Sequence, residues 1–213
     1  MSRCIVVCGG DFAPGLLPKK RPEDLWIAAD SGLRHLQRCG LQADLCIGDW
    51  DSLGQIPEQG ESITLPVRKN DTDLVAAARC GLAHGYRRFL FFGALGGRRF
   101  SHSVAALQAL HWLLQEGAEA EILDENCHIY ALGPGRTLRF PGEQTGIVSV
   151  FSLTEGAELC LQGLWYSEDR LTIRSAFPLG VSNAFTGQES SITCYSGCIA
   201  VITEAPDSSH ENA

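Results

Sequence analysis

Short apolar segments alternate with segments of helical periodicity from Ile5 to Leu123, and this alternation constrains the fold more than any other feature of the chain. It is typical of a mostly parallel sheet with helices on both faces, a doubly wound α/β domain. Ligands of such sheets bind at the carboxyl ends of the strands. The pattern predicts strands at Ile5–Cys8, Leu25–Ala29, Leu45–Ile47, Ser62–Val67, Phe89–Phe92 and Ala120–Leu123, and helices at Leu33–Cys39, Thr72–Leu82 and Val104–Leu114.

The pattern changes after Glu125, where Gly and Pro recur every several residues. Short alternating segments lie between them, which is typical of an antiparallel β-sandwich. They are predicted at Ile147–Phe151, Glu158–Leu161, Leu171–Ile173 and Ser191–Tyr195. We therefore predict an α/β domain over residues 1–125, a β-sandwich domain over 126–204 and a disordered tail over 205–213.

The overall charge excludes some partners. A formal net charge of -8 argues against nucleic acid or an anionic membrane as the partner, because both require clustered basic residues. No apolar run approaches the roughly 20 residues of a membrane helix. The nine cysteines are dispersed and form no Cys-x-x-Cys pair, so we interpret them as small buried side chains of a cytoplasmic protein.

Carboxylates follow several predicted strands. Asp49 and Asp51 come directly after the strand that ends at Ile47, and their spacing lets both offer oxygens to one point. Asp30 follows another strand and Asp73 begins a predicted helix. Acids gathered at one sheet edge repel each other unless a cation neutralises them, and Mg²⁺ with a nucleoside triphosphate explains the set. The alternative is that these aspartates only cap turns or helices.

A second group of residues is suited to phosphate. Lys69 supplies a cation beside Asp73, whereas Thr72 or Asp71 could be a helix N-cap. A glycine-rich stretch then leaves a predicted strand and precedes a helix, an arrangement that lets backbone amides and cations approach phosphate oxygens. It contains Gly96, Gly97, Arg98 and Arg99, followed by His102.

The order of these motifs resembles the thiamine pyrophosphokinase (thiamine diphosphokinase) family. The matching blocks are Asp30–Gly32, Gly48–Ser52, Lys69–Asp73, the Gly-Gly-Arg loop with His102, and Gly180–Asn183. The resemblance implies a catalytic α/β domain that binds nucleotide and magnesium, a thiamine-binding β-sandwich, and a homodimer with thiamine between domains of different subunits. It also implies Mg²⁺-dependent transfer of a diphosphate from ATP to the thiamine hydroxyl, with release of AMP.

The resemblance assigns roles to particular residues of this chain. Asp49, Asp51 and Asp73 correspond to the magnesium ligands, with Asp30 beside them. The ATP-binding residues of the family correspond to Asp30, Lys69, Thr72, Gly96, Gly97 and His102, with either Arg98 or Arg99 as the motif arginine. The thiamine contacts of the family correspond to Ser182 and Asn183, with Trp165 or Tyr166 as an aromatic platform for the cationic ring of thiamine. Without the resemblance, both aromatic residues would be interpreted as sandwich core. We hypothesise that Asp71 or Asp73 accepts the hydroxyl proton.

The chain also departs from the family pattern. Ser101 stands where the family has an aspartate, Ala106 where it commonly has an asparagine, Asn70 where an aspartate is common, and Ser31 where a glycine is common. A member that binds thiamine or nucleotide with impaired catalysis is therefore the first alternative. The second is an aspartyl-phosphate phosphatase with Asp49 as nucleophile, which leaves the β-rich half unexplained.

Overall fold

A computed structural model describes residues 2–50, 60–66 and 71–205 of the 213-residue chain. The chain divides into two compact units, Met1–Glu125 and Asn126–Ala213. In the described part of the chain, no helix is both long and apolar enough to cross a membrane.

In its described residues, the first unit is a parallel sheet with three helices. Its strands are β1 (Cys4–Val7), β2 (Leu25–Ala29), β3 (Leu45–Gly48), β4 (Glu61–Thr64), β5 (Arg88–Phe92) and β6 (Glu119–Leu123). Its helices are α1 (Gly32–Arg38), α2 (Asp73–Ala83) and α3 (Phe100–Gln115), and a single 3-10 turn covers Pro14–Leu16. The strands lie in the order β6-β5-β1-β2-β3-β4, and the pairings are parallel. The predicted α/β class is confirmed.

The strand order reverses between β1 and β5. The chain places β2, β3 and β4 successively to one side of β1 and then returns to place β5 on its other side. In open parallel sheets this reversal leaves a crevice at the carboxyl ends of the two strands, where ligands bind. The loops after β1 and β5 are therefore the first place to look for a site.

Helices cover both faces of the sheet. On one face, Leu36 of α1 shares a buried core with Ile5 of β1. On the other face α2 lies so close that a β-carbon on Gly81 would come within 2.7 Å of the Cys4 sulfur. Because neighbouring residues of a strand point to opposite faces, Cys4 and Ile5 place the two helices on opposite sides.

Local signals explain most of the element boundaries. The Thr72 hydroxyl accepts a hydrogen bond from the Val75 amide over 3.3 Å, which makes it the N-cap of α2. Gly40, at φ +66°, follows the end of α1 as expected. Strand β4 ends at Thr64 rather than at the predicted Val67, because Pro66 has no amide proton for the ladder. Helix α3 begins at Phe100, four residues before the predicted start.

The second unit contains two antiparallel sheets. Its strands are β7 (Cys127–Leu132), β8 (Thr137–Phe140), β9 (Ile147–Ser152), β10 (Gly156–Gln162), β11 (Glu168–Arg174), β12 (Gly180–Ala184), β13 (Ser190–Ser196) and β14 (Ile199–Glu204). One sheet has the order β12-β9-β14-β7 and the other β11-β10-β13-β8. Strands β7, β8, β12 and β14 were not among the predicted segments.

The two sheets of the second unit share one core. Val148 and Val201 from the first sheet are buried in the same cluster as Leu159 and Ile192 from the second. This arrangement confirms the predicted sandwich. The described residues of this unit include no helix. The predicted tail lies, apart from residue 205, outside the described residues.

Candidate active site

The loops after β1 and β5 are joined by backbone hydrogen bonds. The amide of Cys8 donates to the Phe92 carbonyl over 2.8 Å, that of Gly10 to the Gly93 carbonyl over 2.8 Å, and that of Asp11 to the Leu95 carbonyl over 2.9 Å. These bonds continue the pairing of the two strands past their carboxyl ends. The glycine-rich stretch is therefore held against the β1 loop at the point where the strand order reverses.

Gly96 is the tightest position of this stretch. Its φ of +68° favours glycine, and a β-carbon there would lie 1.9 Å from Oδ2 of Asp11. Its amide donates to Oγ of Ser103 over 3.1 Å, which ties the loop to the first turns of α3. Gly97, at φ +73°, lies beside Gly10. Both predicted phosphate-loop glycines thus have conformations or contacts that suit glycine.

The two arginines of the loop lie at the N-terminus of α3. Arg98 and Arg99 are exposed, and Arg99 is the N-cap residue without a side-chain capping bond. Burial lowers the pKa of His102 in the first turn, and Arg99 lowers it further, whereas Asp73 raises it. Asp73 and Arg99 are therefore both close enough to act on this imidazole. Cations and a helix N-terminus together suit an anionic ligand.

The N-terminus of α2 brings Asp73 to the same edge of the sheet. Asp73 is the first residue of α2, after the Thr72 cap. Burial raises the pKa of Cys8, at the end of β1, to about 12, and the charge of Asp73 contributes to that shift. The structure thus places Asp73 near the ends of both β1 and α3.

Asp71 has a different environment. Its carboxylate pairs with Nε of Arg79 over 3.0 Å on the surface of α2. The Arg79 guanidinium also lies over the Trp112 ring of α3, 5.2 Å from its centroid. This contact suits a residue that orients the start of α2 better than one that accepts a proton from substrate.

Asp30 carries a buried oxygen without a partner. The residue has φ +47°, and a β-carbon on Gly48 would lie 3.0 Å from its α-carbon. Within the described residues, its Oδ1 atom is buried and makes no hydrogen bond. A buried carboxylate oxygen is costly unless a cation or a proton satisfies it. This orphaned oxygen, next to the strand end that leads into Asp49, fits a cation site.

Trp50 follows Asp49 and anchors the turn after β3. Its side chain is 5% exposed, its φ is +64°, and its Nε1 donates to the Thr64 hydroxyl over 2.9 Å. Asp51 and Lys69 lie outside the described residues. Among residues 2–50, 60–66 and 71–205, no three His, Cys, Asp or Glu side chains form a metal-binding group. The predicted set of Asp49, Asp51 and Asp73 therefore stays a prediction.

The second unit presents the aromatic pair to solvent. Trp165 is 72% exposed and Tyr166 is 69% exposed, so the interpretation of these residues as sandwich core is wrong. The amide of Trp165 donates to the Ala184 carbonyl over 2.9 Å, which places the pair beside β12. Exposed aromatic side chains of this size are typical of binding surfaces.

Asn183 is buried and occupied by backbone partners. Its Oδ1 accepts from the amides of Tyr166 and Ala184, both over 2.9 Å, and its Nδ2 donates to the Tyr166 carbonyl over 2.8 Å. Ser182 is exposed at φ +61°, and its amide donates to the Ser149 hydroxyl over 3.1 Å. The Asn183 side chain therefore holds the turn that carries Trp165 and Tyr166, whereas the Ser182 side chain is accessible to solvent.

Comparison with known proteins identifies the family. The model of the thiamin pyrophosphokinase catalytic domain matches residues 20–122, which include the ends of β2, β3 and β5 and the N-termini of α2 and α3 but not the loop after β1. Over these residues the chain belongs to the thiamine pyrophosphokinase family. A thiamin pyrophosphokinase family protein from Enterococcus faecalis is 26% identical with a TM-score of 0.78, over 96% of this chain and 100% of that one.

More distant members of the thiamine pyrophosphokinase family share the fold. The Bacillus subtilis thiamine pyrophosphokinase is 22% identical with a TM-score of 0.80, over 97% of this chain and 100% of that one. The Candida albicans enzyme is 16% identical with a TM-score of 0.76, over 95% and 90% of the two chains. No curated protein sequence matches the chain significantly.

Two departures from the thiamine pyrophosphokinase pattern lie on α3. Ser101 is exposed in its first turn, and Ala106 is 2% exposed in its interior. Ser103, which the sequence analysis missed, lies between them and holds the Gly96 amide. A serine near the start of a helix has no sequence signal that separates this role from a surface position. Only the closure of the loop onto α3 reveals it.

Proposed function

We propose that this chain is a thiamine diphosphokinase, which transfers a diphosphate from ATP to the hydroxyl of thiamine and releases AMP. The observation that carries the proposal is the convergence of the Gly96 loop, the N-terminus of α3 and Asp73 at the crevice between β1 and β5. A phosphate-binding loop beside a carboxylate suits a magnesium nucleotide. The β5 side of this crevice, with the Gly96 loop and Asp73, lies within the part of the chain that matches the family's catalytic domain, whereas β1 precedes that part.

The carboxylates would hold magnesium. We assign Asp49, Asp51 and Asp73 as its ligands, and the orphaned oxygen of Asp30 supports a cation at this edge. Bound Mg²⁺ would neutralise phosphate charge during transfer. The chain's own contribution is to hold Asp49 at a strand end and Asp73 at a helix terminus, so that little reorganisation is needed.

The phosphates would be bound by the glycine-rich loop and by residues at the N-termini of α2 and α3. We assign Gly96, whose conformation shapes the loop, together with the Gly97 amide, the Thr72 hydroxyl, and the cations Lys69, Arg98 and Arg99 to this role. His102 lies at the same helix terminus, where it can donate to a phosphate oxygen. Fixed donors and cations stabilise the charge that develops in the transferred group.

Thiamine would bind the exposed aromatic surface of the second unit. A ring of Trp165 or Tyr166 suits the cationic thiazolium, and the Ser182 hydroxyl is accessible for a polar contact. Asn183 contributes by holding the turn. Exposed Leu179 and Val181 extend the apolar surface along β12, which supports a homodimer with this surface at the interface.

The proton acceptor is the least constrained assignment. Asp71 is paired with Arg79, so a proton on it would weaken an ion pair. Asp73 lies in the crevice, at the start of α2 and near both Cys8 and His102, and we therefore favour it. Ser101, exposed where the family has an aspartate, cannot act as a carboxylate at neutral pH.

A cytoplasmic location completes the proposal. All nine cysteines of the chain are free thiols, which suits a reducing compartment.

The test is an assay of purified protein with ATP, Mg²⁺ and thiamine that follows AMP and thiamine diphosphate together. We expect the two products in equal amounts, and their loss in the Asp49→Asn variant or after chelation. Thiamine binding without either product would favour the binding-only alternative, in which Ser101 marks an impaired site. AMP formation that does not depend on thiamine would contradict the proposal.

A further inference from the structure

A cavity of about 610 Å³ lies beside α1 in the first unit, outside the residues assigned above. One side is formed by the connection from β1 to β2, with Phe12, Leu17 and Pro18, and the other by α1, with His35 and Arg38. This volume is in the range of pockets that hold small organic ligands. The apolar side chains give it a wall on which a flat ring could pack.

The lining of the cavity is basic in an acidic chain. Lys19, His35 and Arg38 line it, and no Asp or Glu does. Across the described residues, neither the Lys19 ammonium nor the Arg38 guanidinium is paired with a carboxylate. The neighbouring Lys20, in contrast, pairs with Asp44 over 2.6 Å. With a formal net charge of -8 overall, a local group of uncompensated cations indicates an anionic ligand.

The cavity is connected to the loop after β1. Nε2 of His35 lies 3.1 Å from the carbonyl oxygen of Gly10, which can only accept, so Nε2 carries a proton. The His35 ring also stacks on Phe12, with centroids 4.5 Å apart. Because Gly10 is bonded to Gly93, a ligand that displaces His35 or Phe12 would also act on the glycine-rich loop.

We propose that this cavity binds a phosphate ester carried on a flat heterocyclic ring, with Lys19 and Arg38 as the phosphate partners and the apolar wall as the ring partner. Arginine and lysine are the usual phosphate partners in proteins. Two compounds with this chemistry, AMP and thiamine diphosphate, would be the products of the proposed reaction. The choice of these two candidates rests on the proposed function, whereas the chemistry of the cavity does not.

The test measures His35 by NMR in the full chain without ATP, with its signals assigned by comparison with the His35→Gln variant. Burial lowers the pKa of His35, and a nearby phosphate will raise it. We expect AMP or thiamine diphosphate to move the His35 signals and to raise the midpoint of its titration, and the compound that does so identifies the source. Inorganic phosphate at the same concentration should have a weaker effect.

Variants separate this cavity from the crevice. Lys19→Gln combined with Arg38→Gln should weaken the effect on His35 about tenfold or more, because both charge-assisted contacts are lost. Lys20→Gln is the matched control and should leave the effect unchanged. The proposal is overturned if His35 does not respond, if the double variant responds equally, if inorganic phosphate alone is as effective, or if only His102 responds.

The outcome is independent of catalysis. A chain that forms no thiamine diphosphate but shows the His35 response retains the cavity site and loses the proposed function. If the chain has full transferase activity but the His35 signals do not change, the proposed function holds and the cavity site is rejected.

Discussion

The indole nitrogen of Trp50 donates a hydrogen bond to the hydroxyl of Thr64 over 2.9 Å, and this bond fastens the turn after β3 to β4. Trp50 has a positive φ, which is rare for a bulky residue and is maintained only where the surroundings determine it. It stands between Asp49 and Asp51, two of the proposed magnesium ligands. The bond therefore connects the packing of the core to the placement of Asp49, which directly precedes Trp50.

Replacing Thr64 with Val should loosen that turn. We expect a loss of about 1 kcal/mol in the free energy of unfolding, because the buried indole N–H loses its partner. The Mg²⁺ concentration for half-maximal activity should rise. Thr64→Ser keeps the hydroxyl and should behave like the parent chain in both urea unfolding and Mg²⁺ titration. If the Val variant and the parent have the same Mg²⁺ dependence, the Trp50–Thr64 bond does not contribute to the metal site.

Gly96→Ala should abolish transfer. A β-carbon at Gly96 would lie 1.9 Å from the Asp11 carboxylate, and the positive φ disfavours alanine. The matched control is Gly117→Ala, which has a similar φ of +73° with nothing within 4 Å of the new β-carbon. We expect the control to lose about 1 kcal/mol of stability and to keep its activity. Steady-state rates for both variants make the comparison, and a fully active Gly96 variant would refute the loop assignment.

Asp71 and Asp73 should respond differently to the same substitution. Asp73→Asn should lower kcat by about a hundredfold, because it removes a charge from the proposed metal and phosphate site. Asp71→Asn should lower kcat only a few-fold, since its contact is an exposed ion pair with Arg79. The pH dependence of kcat measured for both variants tests the assignment. A larger loss from the Asp71 substitution would make Asp71 the proton acceptor.

Trp165→Ala should affect thiamine alone. The indole is largely exposed, so its removal should leave the stability of the sandwich nearly unchanged. We expect KM for thiamine to rise about tenfold with KM for ATP unchanged, because a cation–π contact and apolar area are lost. Asn183→Ala is the informative contrast. It should lower the thermal unfolding midpoint, because it removes three hydrogen bonds to the backbone.

The Arg3–Asp24 pair should set the acid stability of the first unit. Burial raises the pKa of Asp24, but hydrogen bonds and charge from Arg3 outweigh it and lower that pKa below its usual value. The stabilisation is therefore present above the unfolded value of about 3.9 and is lost as pH falls through the folded value. Asp24→Asn should cost about 3 kcal/mol at pH 7, because Arg3 stays buried without its partner. In urea unfolding, the difference between parent and variant should shrink as the pH falls below about 4.

Local sequence patterns account for most of the fold. Thr72 begins α2 through a hydrogen bond to an amide three residues away, and Gly40 ends α1 through its own dihedral angle. Both signals are local, so the sequence alone predicts these helix ends. Helix α3 was predicted too short because its first turn has no apolar period, and Phe100 there is 80% exposed. Among the four sandwich strands that were missed, β12 (Gly180–Ala184) consists of residues of low β-propensity apart from Val181, and it is a strand because it pairs with β9.

The residues of the candidate site likewise include some that the sequence predicts and some that it does not. The acids and glycines after β2, β3 and β5 are visible in the sequence because each follows an apolar strand. The roles of Ser103, Arg79 and Asn183 depend on contacts made only after folding, and no spacing rule predicts them. The same holds for the cavity beside α1, whose lining comes from two separate segments.

The most direct test of the account follows the label of ATP during transfer to thiamine. ATP labelled at the β-phosphorus and ATP labelled at the α-phosphorus are supplied in parallel, with Mg²⁺ and thiamine. The account predicts that the β-label appears in thiamine diphosphate and the α-label in AMP. Label from the β-phosphorus that remains in ADP, with a single phosphate on thiamine, would contradict diphosphate transfer.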